Sequence, residues 1–211
     1  MKDIAKKLRI KGCPQKVMMM KTLLLNDKEL RTALIDWLYR KSIKPKKIVE
    51  ELSVNNGFAI ADVVAIYKEL HCFEIKGDND KIERILKQGL SYNLAFRKIT
   101  LLTTEKHRDK ALALAPSHWG ILVAHTDKNK IKLTYARKTK ANIGFSPMIA
   151  LTTLWKSEML EILTKENIAI LSKDKNRDTI SKLISSQLDK LRISNEISEK
   201  LLQRSRIIYD K

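Results

Sequence analysis

The chain has 211 residues, 44% of them hydrophobic, and a formal net charge of +18. This length is enough to bury one substantial core with an accessory element, and it is too short for two full-sized domains. The positive net charge favours a polyanionic partner, above all nucleic acid, because basic side chains that bind phosphates release counterions. Charge alone is also compatible with an ordinary basic surface or with an anionic membrane as the partner.

Cysteine usage and hydropathy narrow the class of protein further. Two cysteines, Cys13 and Cys72, are too few for a disulfide framework or a multi-cysteine zinc cluster, which favours a reducing compartment. No apolar run approaches the ~20 residues needed to span a bilayer. We therefore expect a cytoplasmic protein that does not enter a membrane.

The first 25 residues carry seven Lys or Arg side chains against one acid, Asp3. This composition predicts a basic arm, residues 1–25, that contacts DNA. The alternatives are a partly ordered tail and an upstream mis-start before Met18, Met19 and Met20.

Local patterns then predict an alternation of helices and strands. Asn26 and Glu29 form a capping pattern at the start of a helix over 26–40. Two β-branched segments, 48–54 and 58–67, flank Asn55-Asn56-Gly57, a hairpin signal, and a third strand follows over 70–76. A helix over 81–95, capped within 77–80, and a strand over 98–103 complete an α-β-β-β-α-β order.

The remaining elements predict additions to this core. They are a helix over 104–115, a hairpin of 119–125 with 130–136, and helices over 147–163, 179–192 and 195–208. The predicted fold class is α/β (α+β), with a mixed central sheet, an extra hairpin and a C-terminal helical subdomain. We place the core at 26–140 and the helical subdomain at 141–211.

The third strand carries the candidate chemistry. Side chains on a strand alternate between its faces, so Glu74 and Lys76 project to one side together. On the preceding strand, Asp62 is the one carboxylate in an apolar run, and burying it requires a cation or hydrogen bonds. A Glu-x-Lys pair taken alone is more often a solvated pair on a sheet edge.

The acidic side chains suit a divalent metal. Asp62, Glu74 and the carbonyl of Ile75 are hard oxygen ligands for Mg²⁺ or Mn²⁺, and Glu51 could complete a second site or hold a metal-bound water. A metal lowers the pKa of a bound water, and the Lys76 ammonium can orient that water or stabilise charge on a phosphate.

Further polar residues could contact nucleic acid. Arg84, Gln88 and Tyr92 form one stripe of a helix, opposite a predicted core side of Ile82, Ile85, Leu86 and Leu90. This stripe is predicted to contact phosphate and to steady Lys76, which makes Gln88 and Tyr92 candidate catalytic residues. The basic loop after the second hairpin, which contains Arg137, Lys138, Lys140 and Asn142, is predicted to contact the DNA backbone. The alternative is a solvent-exposed connecting loop without a ligand. The DNA-binding candidates are Arg84, Arg137, Lys138, Lys140, Lys46 and Lys47.

Other reactive or aromatic residues have structural explanations. Cys72 is predicted to be a small apolar filler, because no pairing base lies near it in sequence. Trp37, Trp119 and Trp155 are predicted to pack in cores, and one exposed Trp would be able to stack on an unpaired base.

The site residues and the element order together resemble the PD-(D/E)xK nuclease superfamily. Ala61-Asp62 stands in place of its Pro-Asp, and Gln88-x-x-x-Tyr92 resembles a helix motif of its lambda-exonuclease-like and repair-associated branches. Residues 26–206 more narrowly resemble a bacterial and phage family related to the MmcB-like DNA-repair group. That narrower likeness is carried by Glu51-Leu52, Ala61-Asp62, Glu74-Ile75-Lys76-x-Asp78, Pro116-x-x-Trp119-Gly120 and Leu154-Trp155-Lys156-x-Glu158.

This resemblance implies metal-dependent hydrolysis of phosphodiester bonds in DNA repair, in a phage or in defence. It assigns metal binding to Asp62 and Glu74 and catalytic charge to Lys76. The partner would be duplex or single-stranded DNA, and cutting both strands would suit a homodimer. Two alternatives remain: a nuclease-fold protein that binds nucleic acid without cutting, and a protein-interaction module.

Overall fold

The computed structural model describes residues 24–128, 130–170 and 176–207. These residues form one six-stranded mixed sheet with helices on both faces. The strands are β1 Lys47–Val54, β2 Ala59–Ile66, β3 Leu70–Lys76, β4 Lys98–Thr104, β5 Gly120–Asp127 and β6 Lys130–Arg137. The helices are α1 Asp27–Tyr39, α2 Arg84–Ala95, α3 Arg108–Leu114, α4 Pro147–Leu151, α5 Lys156–Lys165, α6 Arg177–Gln187 and α7 Lys190–Ile207.

The strands lie in the sheet in their sequence order. Strands β1, β2 and β3 run antiparallel, β3, β4 and β5 run parallel, and β6 returns antiparallel to β5. Helices α2 and α3 lie on the two crossover connections. The carboxyl ends of the three parallel strands consequently meet at one edge of the sheet, where α/β proteins commonly bind ligands. The predicted mixed sheet and extra hairpin are confirmed; residues 1–23 of the predicted basic arm and residue 129 of the predicted turn lie outside the described residues.

Each face of the sheet has its own hydrophobic core. On one face, Leu30, Leu34 and Leu38 of α1 pack against Phe73 and Ile75. The opposite face packs against α2 and the C-terminal helices, which share this larger core with the strands. Burial of each large apolar side chain contributes roughly 1.5–3 kcal/mol. No helix among the described segments is both long enough and apolar enough to cross a membrane.

The start of α1 is fixed to the end of β3. The predicted capping box is present, with Asn26 and Glu29 bonded to each other's backbone N–H. Just before it, the Leu25 N–H donates to Asp78 Oδ2 at 2.7 Å, and the Thr104 hydroxyl donates to Asp78 Oδ1 at 2.6 Å. A Cβ on Gly77 would lie 2.6 Å from the Leu25 carbonyl oxygen, so only glycine permits this approach. Helix α1 is thereby held over the sheet.

These bonds correct the predicted cap of α2. Asp78 is bonded to α1 and β4, and Asp80 accepts from the Gly77 N–H at 2.8 Å. The helix begins only at Arg84, after Glu83, which makes no side-chain capping bond. The predicted cap was wrong because long-range partners take the carboxylates.

The buried face of α2 also differs from the prediction. Leu86 and Leu90 are 53% and 69% exposed, whereas Gly89 and Tyr92 face the core. A Cβ on Gly89 would lie 3.2 Å from the Trp119 ring, so the missing side chain lets the indole pack directly on the helix. This contact turns the phenol of Tyr92 inward and the two leucines outward.

The C-terminal helices are divided differently from the prediction. The first predicted helix is interrupted between Leu151 and Lys156, and α7 begins at Lys190, earlier than the predicted residue 195. Asp189 accounts for this start, because its carboxylate accepts from the backbone N–H groups of Leu191 and Arg192. The predicted first-turn pair Ser146 and Pro147 is confirmed at α4.

We expect Asp78→Ala to lower the free energy of unfolding by about 2–4 kcal/mol, since two bonds to a buried carboxylate would be lost. Urea denaturation followed by circular dichroism measures the change. The matched control is Asp36→Ala on α1, whose carboxylate is exposed and which should cost less than about 0.5 kcal/mol. Equal effects of the two substitutions would contradict the anchoring role of Asp78.

Candidate functional site

Strands β2 and β3 separate at the predicted site. Their ladder runs from Ile66 opposite Leu70 to Val63 opposite Phe73. At the next position Asp62 and Glu74 would face each other, but there the Asp62 carboxylate accepts the Ile75 N–H at 2.7 Å. A side chain thus replaces a strand carbonyl as the partner of this N–H, and the gap between the strands holds two carboxylates.

An irregularity in β1 lies beside this gap. Pairing between β1 and β2 is present on both sides of Glu51 and Asp62 but not at that position. Glu51 has φ 54°, a left-handed conformation that is strained for a non-glycine residue within a strand. The carbonyl of Asp62 is therefore free to accept from a side chain.

Glu74 is held by two partners in a fully buried position. The Lys76 ammonium pairs closely with Oε1 and also donates to the Ile75 carbonyl at 3.1 Å. The Tyr92 hydroxyl lies 2.7 Å from Oε2 and 2.7 Å from the Ile60 carbonyl. The predicted side-by-side placement of Glu74 and Lys76 is confirmed, and Tyr92 of α2 joins them.

The Asp62 carboxyl has an unusual protonation equilibrium. Burial, followed by repulsion from Glu74, raises its pKa from 3.8 to about 7, although the Ile75 N–H and Lys76 act in the opposite direction. In the absence of a cation, the group is near half-protonation at pH 7. A divalent ion would favour the ionised form and would offset this repulsion.

Arg31 of α1 is a site residue that the sequence analysis missed. Its guanidinium lies 2.9 Å from Glu51 Oε1 and 3.9 Å from Asp62 Oδ1, and it donates to the Asp62 carbonyl at 2.8 Å. It also pairs with Asp27 at 3.1 Å and with Glu50 at 3.3 Å. In the sequence, the position of Arg31 four residues after Asp27 indicates only an ion pair within the helix. It gives no information that α1 lies over β1 and β2.

The predicted stripe on α2 reaches the site through one member only. Arg84 is exposed, whereas Tyr92 contacts Glu74 directly. Gln88 lies between them, and its Oε1 atom is buried without a hydrogen-bond partner in the described parts of the chain. Gln88 is therefore the member of the stripe with an unused acceptor.

The prediction that Arg137 grips DNA is wrong. Its guanidinium donates to the backbone carbonyls of Trp119, Leu112, Ala115 and Pro116, so it fixes the loop before β5. Burial lowers the pKa of this group, but the carbonyls supply the acceptors it needs. Its neighbours Lys138 and Lys140 remain exposed.

The other predicted DNA-binding lysines lie away from the carboxylates. Lys47 pairs with Ile66, four residues along β2 from Asp62, which corresponds to about 13 Å at the strand rise. Lys46 is exposed just before it. The structure therefore does not bring these lysines together with Asp62, Glu74 and Lys76.

The donor set suits Mg²⁺ or Mn²⁺ with few protein ligands. Among the described residues, no three Asp, Glu, His or Cys side chains are grouped so that they could hold a metal ion. Glu51, the predicted additional ligand, is paired with Arg31 instead. Asp62, Glu74 and the Ile75 carbonyl remain, and Mg²⁺ commonly uses one or two carboxylates while keeping several waters. Lys76 occupies Glu74 and the Ile75 carbonyl in this structure, so a hydrated hard cation would use these donors together with Asp62 only after Lys76 shifts.

Two of the three tryptophans and Cys72 have structural roles. Trp119 is fully buried, Trp37 is partly buried, and Cys72 fills the larger core as predicted. The prediction for Trp155 is wrong, because this side chain is 60% exposed at the start of α5. The Arg204 guanidinium lies 4.2 Å from the centre of the Trp155 ring, so the indole packs against this cation and not in a hydrophobic core.

Comparison with known proteins relates the chain to a phage protein. Residues 20–209 match the family described as Bacteriophage P4 protein cII. Protein cII of Enterobacteria phage P4 is 28% identical over 171 residues, which cover 80% of this chain and 64% of the relative. The chain thus spans about 64% of the length of that relative. No solved structure matches the chain.

We expect Asp62→Asn to stabilise the metal-free protein at pH 8. The raised pKa means that folding takes up a proton between about pH 4 and 7, so ionised Asp62 lowers the free energy of unfolding above this range. Asn cannot ionise, yet its amide oxygen can still accept the Ile75 N–H. The gain should be about 1–3 kcal/mol at pH 8, allowing for the partly exposed side chain, and should shrink towards pH 4.

Urea denaturation in EDTA at both pH values measures this difference. Asp36→Asn is the control, because its carboxylate is exposed and pairs with Arg40 rather than with the site. If Asp62→Asn raised the free energy of unfolding equally at pH 4 and pH 8, or lowered it at pH 8, the ionised Asp62 carboxylate would not be what destabilises the protein.

Proposed function

This chain belongs to the bacteriophage P4 protein cII family, and we propose that it is a metal-dependent deoxyribonuclease of the PD-(D/E)xK type. The observation that carries the proposal is the gap between β2 and β3. There, the carboxylates of Asp62 and Glu74 are adjacent, and the Lys76 ammonium touches Glu74. Three separate strand positions supply one acid, a second acid and one cation, a set that can support metal-assisted hydrolysis of a phosphodiester.

Asp62, Glu74 and the Ile75 carbonyl would hold Mg²⁺ or Mn²⁺. A divalent ion bound there supplies an activated water and charge stabilisation for the phosphate. The remaining contributions come from the chain. The Ile75 N–H fixes one oxygen of Asp62, and the Tyr92 hydroxyl fixes one oxygen of Glu74. Both carboxylates are thereby oriented before substrate binds, which lowers the cost of reorganisation.

Lys76 is the candidate for proton handling and charge stabilisation. Its ammonium is nearly buried and is held by Glu74 and by the Ile75 carbonyl. In this position it can orient a water towards a phosphate or stabilise the negative charge that develops there. Arg31 acts as a positioning residue, because it joins α1 to Glu51 and to the backbone of Asp62.

A second candidate function is a nuclease-fold protein that binds nucleic acid without cutting it. One observation favours this reading: Lys76 and Arg31 already neutralise Glu74 and Glu51. Carboxylates that are already neutralised by Lys76 and Arg31 attract a metal ion less strongly. The two functions differ in a single measurable property, which is cleavage that depends on a divalent ion.

Incubation of the purified protein with supercoiled plasmid, linear duplex and single-stranded DNA tests the proposal. Each substrate is combined with Mg²⁺, Mn²⁺ or EDTA. We expect cleavage only with a divalent ion, and a loss of at least about 100-fold in Lys76→Ala and in Asp62→Asn, because both remove groups that act on the reacting phosphate. Thermal unfolding confirms that the variants remain folded.

Lys156→Ala is the matched control, because this lysine is exposed on α5. Its activity should equal that of the unchanged protein. Undiminished cleavage by Asp62→Asn would refute the site, and a contaminating nuclease would be revealed by equal activity in all variants. Binding of DNA without any cleavage would establish the second function.

A further inference from the structure

A cavity lies on the face of the sheet that α1 covers, near the start of β3. Its volume is about 370 Å³, and it opens between the end of α1 and the first residues of β3 and β4. Most of its wall is aromatic or basic. The residues that matter here are Trp37, Lys41, His71, Phe73, Lys98 and Tyr135.

In this cavity, which we call the aromatic pocket, the rings of Trp37 and Tyr135 reach solvent, whereas Phe73 is buried beneath them. The centres of Trp37 and Tyr135 are 5.6 Å apart, with planes inclined at 63°. His71 and Phe73 stack below with centres 4.2 Å apart. The Lys41 ammonium lies 3.6 Å from the centre of the Trp37 ring. Because this lysine is exposed and such contacts are weak in water, a planar ligand can displace it.

Polar groups lie beside the rings. His71 Nε2 is 2.8 Å from the Thr100 hydroxyl, which is 2.6 Å from the hydroxyl of Thr139. Thr100 is fully buried, so these bonds hold the His71 ring in place beneath the cavity. The rings of Trp37 and Tyr135 at the surface suit a planar heterocycle such as a nucleobase.

The surroundings of the aromatic pocket are strongly basic. Strand ends and turns bring exposed lysines to this end of the sheet: Lys41, Lys44, Lys46, Lys68, Lys138 and Lys140. Glu69 lies at the same end, but it is paired with Arg97 and Lys98. Glu199, whose charge is felt by Lys46, is paired with Lys165. The rim therefore carries an uncompensated positive charge, which suits a phosphate backbone.

We propose that the aromatic pocket binds an unpaired base of single-stranded DNA, while the lysine rim holds the flanking phosphates. Aromatic stacking of this kind is tolerant of sequence, because every base has a flat face. Duplex DNA keeps its bases stacked inside the helix and cannot present them to Trp37. Phe73 of the pocket is adjacent to Glu74 in β3, but neighbouring strand residues project to opposite faces of the sheet. The pocket is therefore separate from the carboxylate site and does not depend on hydrolysis there.

Binding of a 15-nucleotide oligothymidylate in EDTA tests this proposal. Quenching is measured on the full chain with Trp155→Phe, in which Trp37 is the partly exposed tryptophan and Trp119 is buried, and affinities are measured on the chain that keeps Trp155. We expect saturable quenching of tryptophan emission as the oligonucleotide binds. Anisotropy of a labelled oligonucleotide should show affinity reduced about tenfold in Trp37→Ala and largely kept in Trp37→Phe.

The matched control is Trp155→Ala, which removes an exposed tryptophan elsewhere and should leave affinity unchanged. Equal affinities of Trp37→Ala and the unchanged protein would overturn the proposal. Absence of quenching would also overturn the proposal. The quenching measurement keeps Trp37, so its result does not depend on whether Trp37→Ala folds. Equal affinity for a 15-base-pair duplex, or tighter binding of oligouridylate than of oligothymidylate, would also contradict binding of single-stranded DNA.

Discussion

The hydrogen bond from the Ile75 N–H to the Asp62 carboxylate determines the architecture around the candidate site. In a regular sheet this N–H would bond to a carbonyl of β2, and the strands would stay together. Because a side chain accepts it, β2 and β3 separate, and the space between them is available to the Glu74 carboxylate and the Lys76 ammonium. Tyr92 and Arg31 then approach this space from opposite faces of the sheet.

This arrangement lowers the stability of the fold. Glu51 adopts a left-handed backbone conformation within a strand, and repulsion from Glu74 helps to raise the pKa of Asp62 to about 7. Apolar residues at these positions would close the ladder and pack without strain. Strain of this kind persists where the surrounding structure enforces it, and it is concentrated at functional sites. The observed distortion beside these carboxylates thus supports the proposal that they are functional.

The elements and the acidic pair could be predicted from sequence because both follow from local rules. Strand alternation places Glu74 beside Lys76, and the turn signal at Asn56 aligns β1 with β2. The errors concern residues whose role depends on distant partners. Arg137 donates to four backbone carbonyls, and Arg31 reaches Glu51 because α1 lies over β1. Leu86 is exposed because Trp119 packs against the opposite side of α2. No periodicity within a segment contains this information.

The separation of charge along β3 bears on how the two proposed sites would act together. His71 at the pocket is three residues from Glu74, about 10 Å along the strand, and the lysine rim lies beyond the start of the strand. Lys76 already pairs with Glu74 and so competes with a divalent ion for this carboxylate, whereas the distant lysines of the rim would hold phosphates without adding to that competition. If both sites engage one strand, affinity and chemistry can therefore be altered independently of each other.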